Sequence, residues 1–163
     1  MEGANIPTIK ENQSKLDSYF MSLALEQAKL AFHNAEVPVG AVIVWQDTNI
    51  VASAYNSVEL NKNATHHAEL ICINRAIEQL QMKYLTDATI YVTLEPCAMC
   101  AGALVLTKVK RLVYGASDPK AGAVSTLFQL TTDERLNHRL KVTSGILEHE
   151  CSTLLKDFFK LIR

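Results

Sequence analysis

At 163 residues and 48% hydrophobic content, the chain can bury a full core, which excludes a disordered or fibrous protein and predicts one domain over residues 14–163 behind a polar lead, residues 1–13. Its net charge of −1 hides a split: residues 1–100 carry six Lys/Arg against eleven Asp/Glu, and residues 101–163 carry ten against six. That asymmetry fits a basic face built by the C-terminal third, as a nucleic-acid partner requires, or an ordinary scatter of surface charge.

Met1 to Asn12 is polar and lacks the apolar stretch of a secretory signal, and no run approaches the ~20 apolar residues that cross a bilayer. A cytoplasmic protein without membrane contact is expected. Leu16, Tyr19, Phe20, Leu23, Leu30 and Ala31 then recur at helical spacing, with Ser14 as a candidate N-cap. Val37 to Trp45 and Ile50 to Tyr55 read as strands of a hairpin turning at Asp47-Thr48-Asn49. A polar stretch, Glu59 to Thr65, precedes a helical pattern from His67 to Leu80. Thr89 to Leu94 is a strand, and Pro96 suits the first turn of a helix through Leu106. Arg111 to Tyr114 is a strand ended by Gly115, and Asp118 to Leu130 is a mixed segment broken near Gly122. Val142 to Ile146 is a strand, and Glu148 to Ile162 a helix with Leu154, Leu155, Phe158, Phe159 and Ile162 facing inward. Strands alternating with helices predict an α/β sandwich, and the opening hairpin makes its sheet mixed.

Four cysteines are too few for a disulfide scaffold at this length. Cys72 lies in an apolar stretch and reads as a packing residue, and Cys151 as a structural thiol. Cys97 and Cys100 differ. Three apart at a helix start, they share a face and can reach one ion, while the free N–H groups there favour thiolates. His67 supplies a third ligand, leaving the open position that separates catalytic from structural zinc sites. Glu69 beside it is a candidate proton carrier. Mid-helix, His67 and Glu69 would point apart, so His67 must open its helix with Glu69 reaching back past the metal. The ion then lies between two helix N-termini.

His66 competes with His67, but only His67 gives His-x-Glu. A Cys-x-x-Cys pair alone also fits a redox motif or half of a zinc knuckle, though no second Cys pair completes such a knuckle. Glu95, just before Pro96, can serve as acid or base or can bond backbone groups at the turn, and the second role is expected. His-x-Glu followed by Pro-Cys-x-x-Cys matches the signature of zinc-dependent base deaminases.

On these residues the chain resembles the cytidine/deoxycytidylate deaminase superfamily, and within it the bacterial tRNA adenosine deaminases. Further landmarks are Glu36-Val37-Pro38-Val39-Gly40-Ala41, Thr93-Leu94-Glu95, Tyr114 to Ala123, Leu136-Asn137-His138, Gly145 to Glu148 and the Phe158-Phe159 pair with Arg163. The resemblance implies a three-layer sandwich with a central five-stranded mixed sheet between helices, and a homodimer. It also implies one Zn2+ per chain on His67, Cys97 and Cys100. The implied reaction is hydrolytic deamination of the wobble adenosine in the tRNA anticodon loop to inosine, with zinc-held hydroxide attacking C6 of the flipped adenine and Glu69 shuttling protons. Asn56, otherwise a turn residue, would bond the base, and Ala68 would offer it backbone groups. Asp118 falls where the family contacts the anticodon loop, although Asp-Pro is also an ordinary turn pair. Phe158 and Phe159 could stack on bases or pack in the core, with packing expected for at least one. The family's usual Asp-Pro-Thr-Ala ahead of His-Ala-Glu is here Asn63-Ala64-Thr65-His66, which leaves the chemistry intact but alters that loop.

Two other readings fit the motifs: a deaminase of free bases or nucleosides, and an idle RNA-binding protein keeping the fold. Intact His67, Glu69, Cys97 and Cys100 weigh against the second.

Overall fold

A computed structural model describes residues 13–163. The polar lead, apart from Gln13, lies outside the described residues. The elements are α1 (Gln13–His33), β1 (Gly40–Trp45), β2 (Asn49–Tyr55), α2 (Val58–Asn61), α3 (Ala68–Leu80), β3 (Ala88–Leu94), α4 (Ala98–Leu106), β4 (Arg111–Ala116), a 3-10 turn at Leu130–Thr132, β5 (Lys141–Ser144) and α5 (Glu148–Leu161).

Five strands form one sheet in the order β2-β1-β3-β4-β5. β1 is antiparallel to both neighbours, while β3, β4 and β5 are parallel. β2 therefore runs the same way as β3 and β4, and the C-terminal ends of all three open on one edge. That edge carries the site, as expected where ligands bind outside the carboxyl ends of α/β strands.

Side-chain alternation explains the layers. Ala41 and Ile43 join Ile90, Val92 and Leu112 on one face, covered by Cys72, Ile73 and Ala76 of α3 and Leu104 of α4. Val42, Val44, Tyr91 and Val113 point to the other face, under Leu16, Phe20, Met21 and Ala24 of α1 and Cys151 of α5. Central strands covered on both faces read as unbroken apolar runs, which is why β1 and β3 were legible. Cys72 is buried, as its apolar context suggested, and Cys151 is buried as well. Among the described residues, no helix is long and apolar enough to cross a membrane.

One buried ion pair ties α1 to β4. Arg111 donates from both terminal nitrogens to the two Asp17 oxygens, each at 2.7 Å. Tyr91 and Gln13 add hydrogen bonds to Asp17 Oδ1. Burial alone would raise the Asp17 carboxyl, but Arg111, with Tyr91 and Gln13, outweighs it and holds the group below its ordinary 3.8. A carboxyl with a depressed folded-state value stabilises the fold above its unfolded value and loses that contribution as pH falls through the folded one. Stability should thus drop as pH falls below about 4. Asp17→Ala should cost about 3 kcal/mol at pH 7, because it strands the Arg111 charge, and should flatten that acid limb in urea titrations. An unchanged acid limb in this variant would contradict the assignment.

Several boundaries differ from the sequence reading. Ser14 is not the N-cap of α1, since Gln13 is already helical and its amide reaches Asp17 one turn on. β1 starts at Gly40, not Val37, because the Val39 N–H turns back to the Val37 carbonyl at 2.8 Å and Pro38 has no N–H for the ladder. The hairpin turns at Gln46, Asp47 and Thr48, between the paired Trp45 and Asn49, with Gln46 and Asp47 at left-handed φ (52° and 67°). The polar stretch hides the short α2. Pro96 precedes the N-cap Cys97 and is not in the first turn. Gly115 does not end β4; a Cβ there would lie 2.5 Å from Cys151 Sγ, so glycine lets α5 approach the strand. β5 stops at Ser144, before the left-handed Gly145. In α5, Phe158 faces inward, but Phe159 and Ile162 are 41% and 62% exposed, since the inward stripe runs through Cys151, Leu154, Leu155 and Phe158.

Candidate active site

Two helix starts bring together three side chains that could hold a metal ion. His67 is the N-cap of α3 and Cys97 the N-cap of α4, both with extended backbone. Cys100 follows one turn into α4. His67 Nδ1 lies 3.5 Å from Cys97 Sγ and 3.6 Å from Cys100 Sγ, and the three donor atoms all lie within 4.8 Å of one another. A tetrahedral zinc with bonds of about 2.3 Å to sulfur and about 2.0 Å to nitrogen sets nitrogen and sulfur about 3.6 Å apart. The donor set fits zinc and leaves a fourth position. That Nδ1 is the ring nitrogen facing the two sulfurs is a detail that spacing could not supply.

His66 turns away. Its ring lies 2.9 Å from Asn61 Nδ2, and its carbonyl accepts the Ser57 N–H. In the altered loop before it, Asn63 Oδ1 accepts from both the N–H and the hydroxyl of Thr65.

The donors share their charge. The Cys97 thiol is held well below its usual value, first by the Cys100 thiol donating to it and then by the His67 ring, against the effect of burial. His67 is raised in turn by Cys97.

Glu69 and Asn56 flank this triangle. Glu69 is buried in the first turn of α3, and burial pushes its carboxyl up. Asn56 follows the end of β2, and its Oδ1 accepts the Ala68 N–H at 2.7 Å. The Ala68 N–H is thereby committed to Asn56, and the Asn56 amide nitrogen is the group left for a ligand. Glu69, Asn56, His67 and Cys97 line a cavity of about 400 Å³ walled by Val37 and Val39. That size suits a small-molecule group.

A second cavity, about 590 Å³, shares Val37, Leu94 and Asp118 with the first and is edged by Lys120, Lys156, Lys160 and Arg163. The basic face suggested by the charge split thus lies beside the cavity that holds His67 and Cys97. Phe159 lines this second cavity. Phe158 is 6% exposed and packs edge-on against Phe32 at 5.7 Å, at the wall of the first. Asp118 borders both cavities, and its Oδ1 closes a turn by accepting the Lys120 and Ala121 N–H groups. Glu95 bonds backbone, as expected: it accepts from the N–H groups of Asp118, Val124, Ser125 and Thr126. Sequence reasoning gave Glu36 no role. It is buried at the cavity wall and accepts the N–H groups of Glu59 and Leu60, bracing α2. A charged residue inside the apolar Glu36 to Ala41 landmark was the available signal.

Residues 15–163 match the MafB19-like deaminase family. The tRNA-specific adenosine deaminase of Bacillus subtilis (strain 168) is 46% identical over 147 residues, 90% of this chain and 91% of that one. The chain belongs to the tRNA-specific adenosine deaminase family. A solved structure from studies of A-to-I editing by tRNA:A34 deaminases superposes with a TM-score of 0.80 at 40% identity, covering 84% of this chain and 99% of that one. The guanine deaminase of Nitrosomonas europaea superposes with a TM-score of 0.75 at 20% identity, over 86% of this chain and 83% of that one, and shares the fold. In this chain the His67, Cys97 and Cys100 triangle, which could hold a metal ion, lies where the starts of α3 and α4 meet.

Proposed function

We propose that the protein converts the wobble adenosine of a tRNA anticodon to inosine, with water as the second substrate and ammonia as the leaving product. The observation that carries this reading is the His67, Cys97 and Cys100 triangle opening onto a base-sized cavity beside a basic one. His67 Nδ1 and the two thiolates would hold one Zn2+, which when bound makes water reactive near neutral pH. Glu69 takes one proton from the attacking water and gives it to the ring nitrogen, then carries the remaining hydroxyl proton to the departing amine as the carbonyl forms. Its burial favours the protonated form it must pass through. The new C–O bond forms at C6 of adenine, and the C6–N6 bond breaks. Asn56, held by the Ala68 N–H, presents its amide nitrogen to the base edge. Val37 and Val39 exclude water from the base face. The flipped nucleotide enters from the basic cavity, where Lys120, Lys156, Lys160 and Arg163 neutralise phosphates and Phe159 offers a stacking face. Asp118 and Phe158, at the rim, contact the loop or shape its path.

The enzyme acts as a cytoplasmic homodimer in this reading. α4 carries no charged residue, its Leu106 is 76% exposed, and a Cβ added at Gly102 meets nothing within 4 Å. A second copy would cover that apolar face.

Two results test the proposal. An anticodon stem-loop with adenosine at the wobble position should yield inosine, and one with adenosine moved to a neighbouring position should not; equal conversion of both would refute wobble selection. Asn56→Ala should raise KM and lower kcat/KM about 10-fold to 200-fold, as loss of one buried base contact of ~1–3 kcal/mol implies. Unchanged kcat/KM would remove Asn56 from the base contacts.

A further inference from the structure

Glu95 is 2% exposed, and no ion pair reaches it among the described residues. A buried carboxylate without a cation needs several hydrogen-bond donors. Here all of them come from one segment. Oε1 accepts the Asp118 N–H and the Thr126 hydroxyl; Oε2 accepts the N–H groups of Val124, Ser125 and Thr126. The side chain thus fastens the segment at its entry and again at its exit. Backbone bonds add to this: the Ala123 N–H reaches the Pro96 carbonyl at 2.8 Å, and the Glu95 N–H reaches the Ala116 carbonyl at 2.8 Å. Gly122 is squeezed between, since a Cβ there would lie 2.5 Å from the Glu95 carboxyl.

What lies between the two fastenings faces the cavities. Asp118 and Ala121 line the metal-binding cavity, and Asp118, Pro119 and Lys120 line the basic one. With both oxygens engaged, Glu95 cannot carry protons for the reaction. The metal donors and Glu69 stand on α3 and α4 and make none of these bonds.

We infer that Glu95 is a positioning residue which holds residues 118–126 as the wall shared by the base cavity and the basic cavity, so that engagement of the RNA depends on it and the reacting centre does not. This inference rests on the proposed function. A stem-loop crosses both cavities, so a displaced wall weakens its binding more than it slows the step at C6.

The test uses full-length, zinc-loaded protein, an anticodon stem-loop and two variants. Glu95→Gln turns one acceptor into a donor facing the segment's own N–H groups. Thr126→Val removes one donor and leaves the carboxylate. For Glu95→Gln, KM should rise about tenfold or more, as loss of positioning does, with kcat at saturation changed less than about threefold. Zinc content should stay at the wild-type value, and hydrogen exchange should speed up at residues 118–126 but not at the starts of α3 and α4. Thr126→Val should shift KM in the same direction by a smaller factor. If Glu95→Gln does not fold, Thr126→Val decides the question alone. An unchanged KM in the variant that folds, or a fall in kcat or zinc content with KM unchanged, would overturn the inference. If the wild-type protein forms no inosine in the stem-loop, the proposed function fails and this inference with it. Inosine formation by wild type with unmoved KM in the variants defeats the inference alone.

Discussion

Glu69→Gln should lower kcat on an anticodon stem-loop by at least ~10²–10⁴-fold, the usual worth of a positioned acid/base group, while zinc content stays at one ion per wild-type equivalent. The reason is position. Glu69 is buried beside the donor triangle and lines the cavity, whereas Glu59, which also lines it, is exposed. Glu36 and Glu95 also border the cavity, but their oxygens are engaged by backbone N–H groups of residues 59–60 and 118–126. Glutamine keeps the size and loses the exchangeable proton. Single-turnover inosine formation, with zinc measured on the same sample, checks the point. Near-normal turnover would mean that another group carries the proton.

The second large effect concerns the metal. Cys97→Ala removes one donor of three, and the remaining pair, His67 Nδ1 and Cys100 Sγ at 3.6 Å, is too small a set for tight zinc binding. Zinc per chain should fall well below one, and activity should fall with it. Thermal stability should drop as well, because a bound ion would link the starts of α3 and α4, and metal-binding free energy is folding free energy where a site ties elements together. Chelating zinc from the wild-type protein should reproduce both losses, and returning zinc should reverse them. Full zinc occupancy in Cys97→Ala would show that the ligand is elsewhere.

Local pattern made much of this molecule readable. His67-Ala68-Glu69 forced an unusual helix start, because residues two apart diverge within a helix, and the structure places His67 at the N-cap of α3. Cys97 and Cys100 needed a second helix start, and α4 supplies it. β1 and β3 announced themselves as β-branched runs because both faces of each are covered. What stayed hidden involves partners far apart in the chain. Asp17 and Arg111 are 94 residues apart, and neither carries a local sign of the other. Glu36 and the N–H groups of α2 are joined across the cavity in the same way. Helical spacing in α5 placed five apolar residues inward, but the sheet covers a narrower stripe, leaving Phe159 and Ile162 at the cavities. Gly115 looked like a terminator because the neighbour that demands a glycine, Cys151, is on another element.

The most direct test of the account is inosine formation in an anticodon stem-loop carrying a wobble adenosine, run beside free adenosine, cytidine and guanine with the same zinc-loaded protein. The predicted result is inosine in the stem-loop and no turnover of the small substrates. Turnover of a free base or nucleoside, with an inert stem-loop, would contradict the RNA reading while keeping the zinc chemistry.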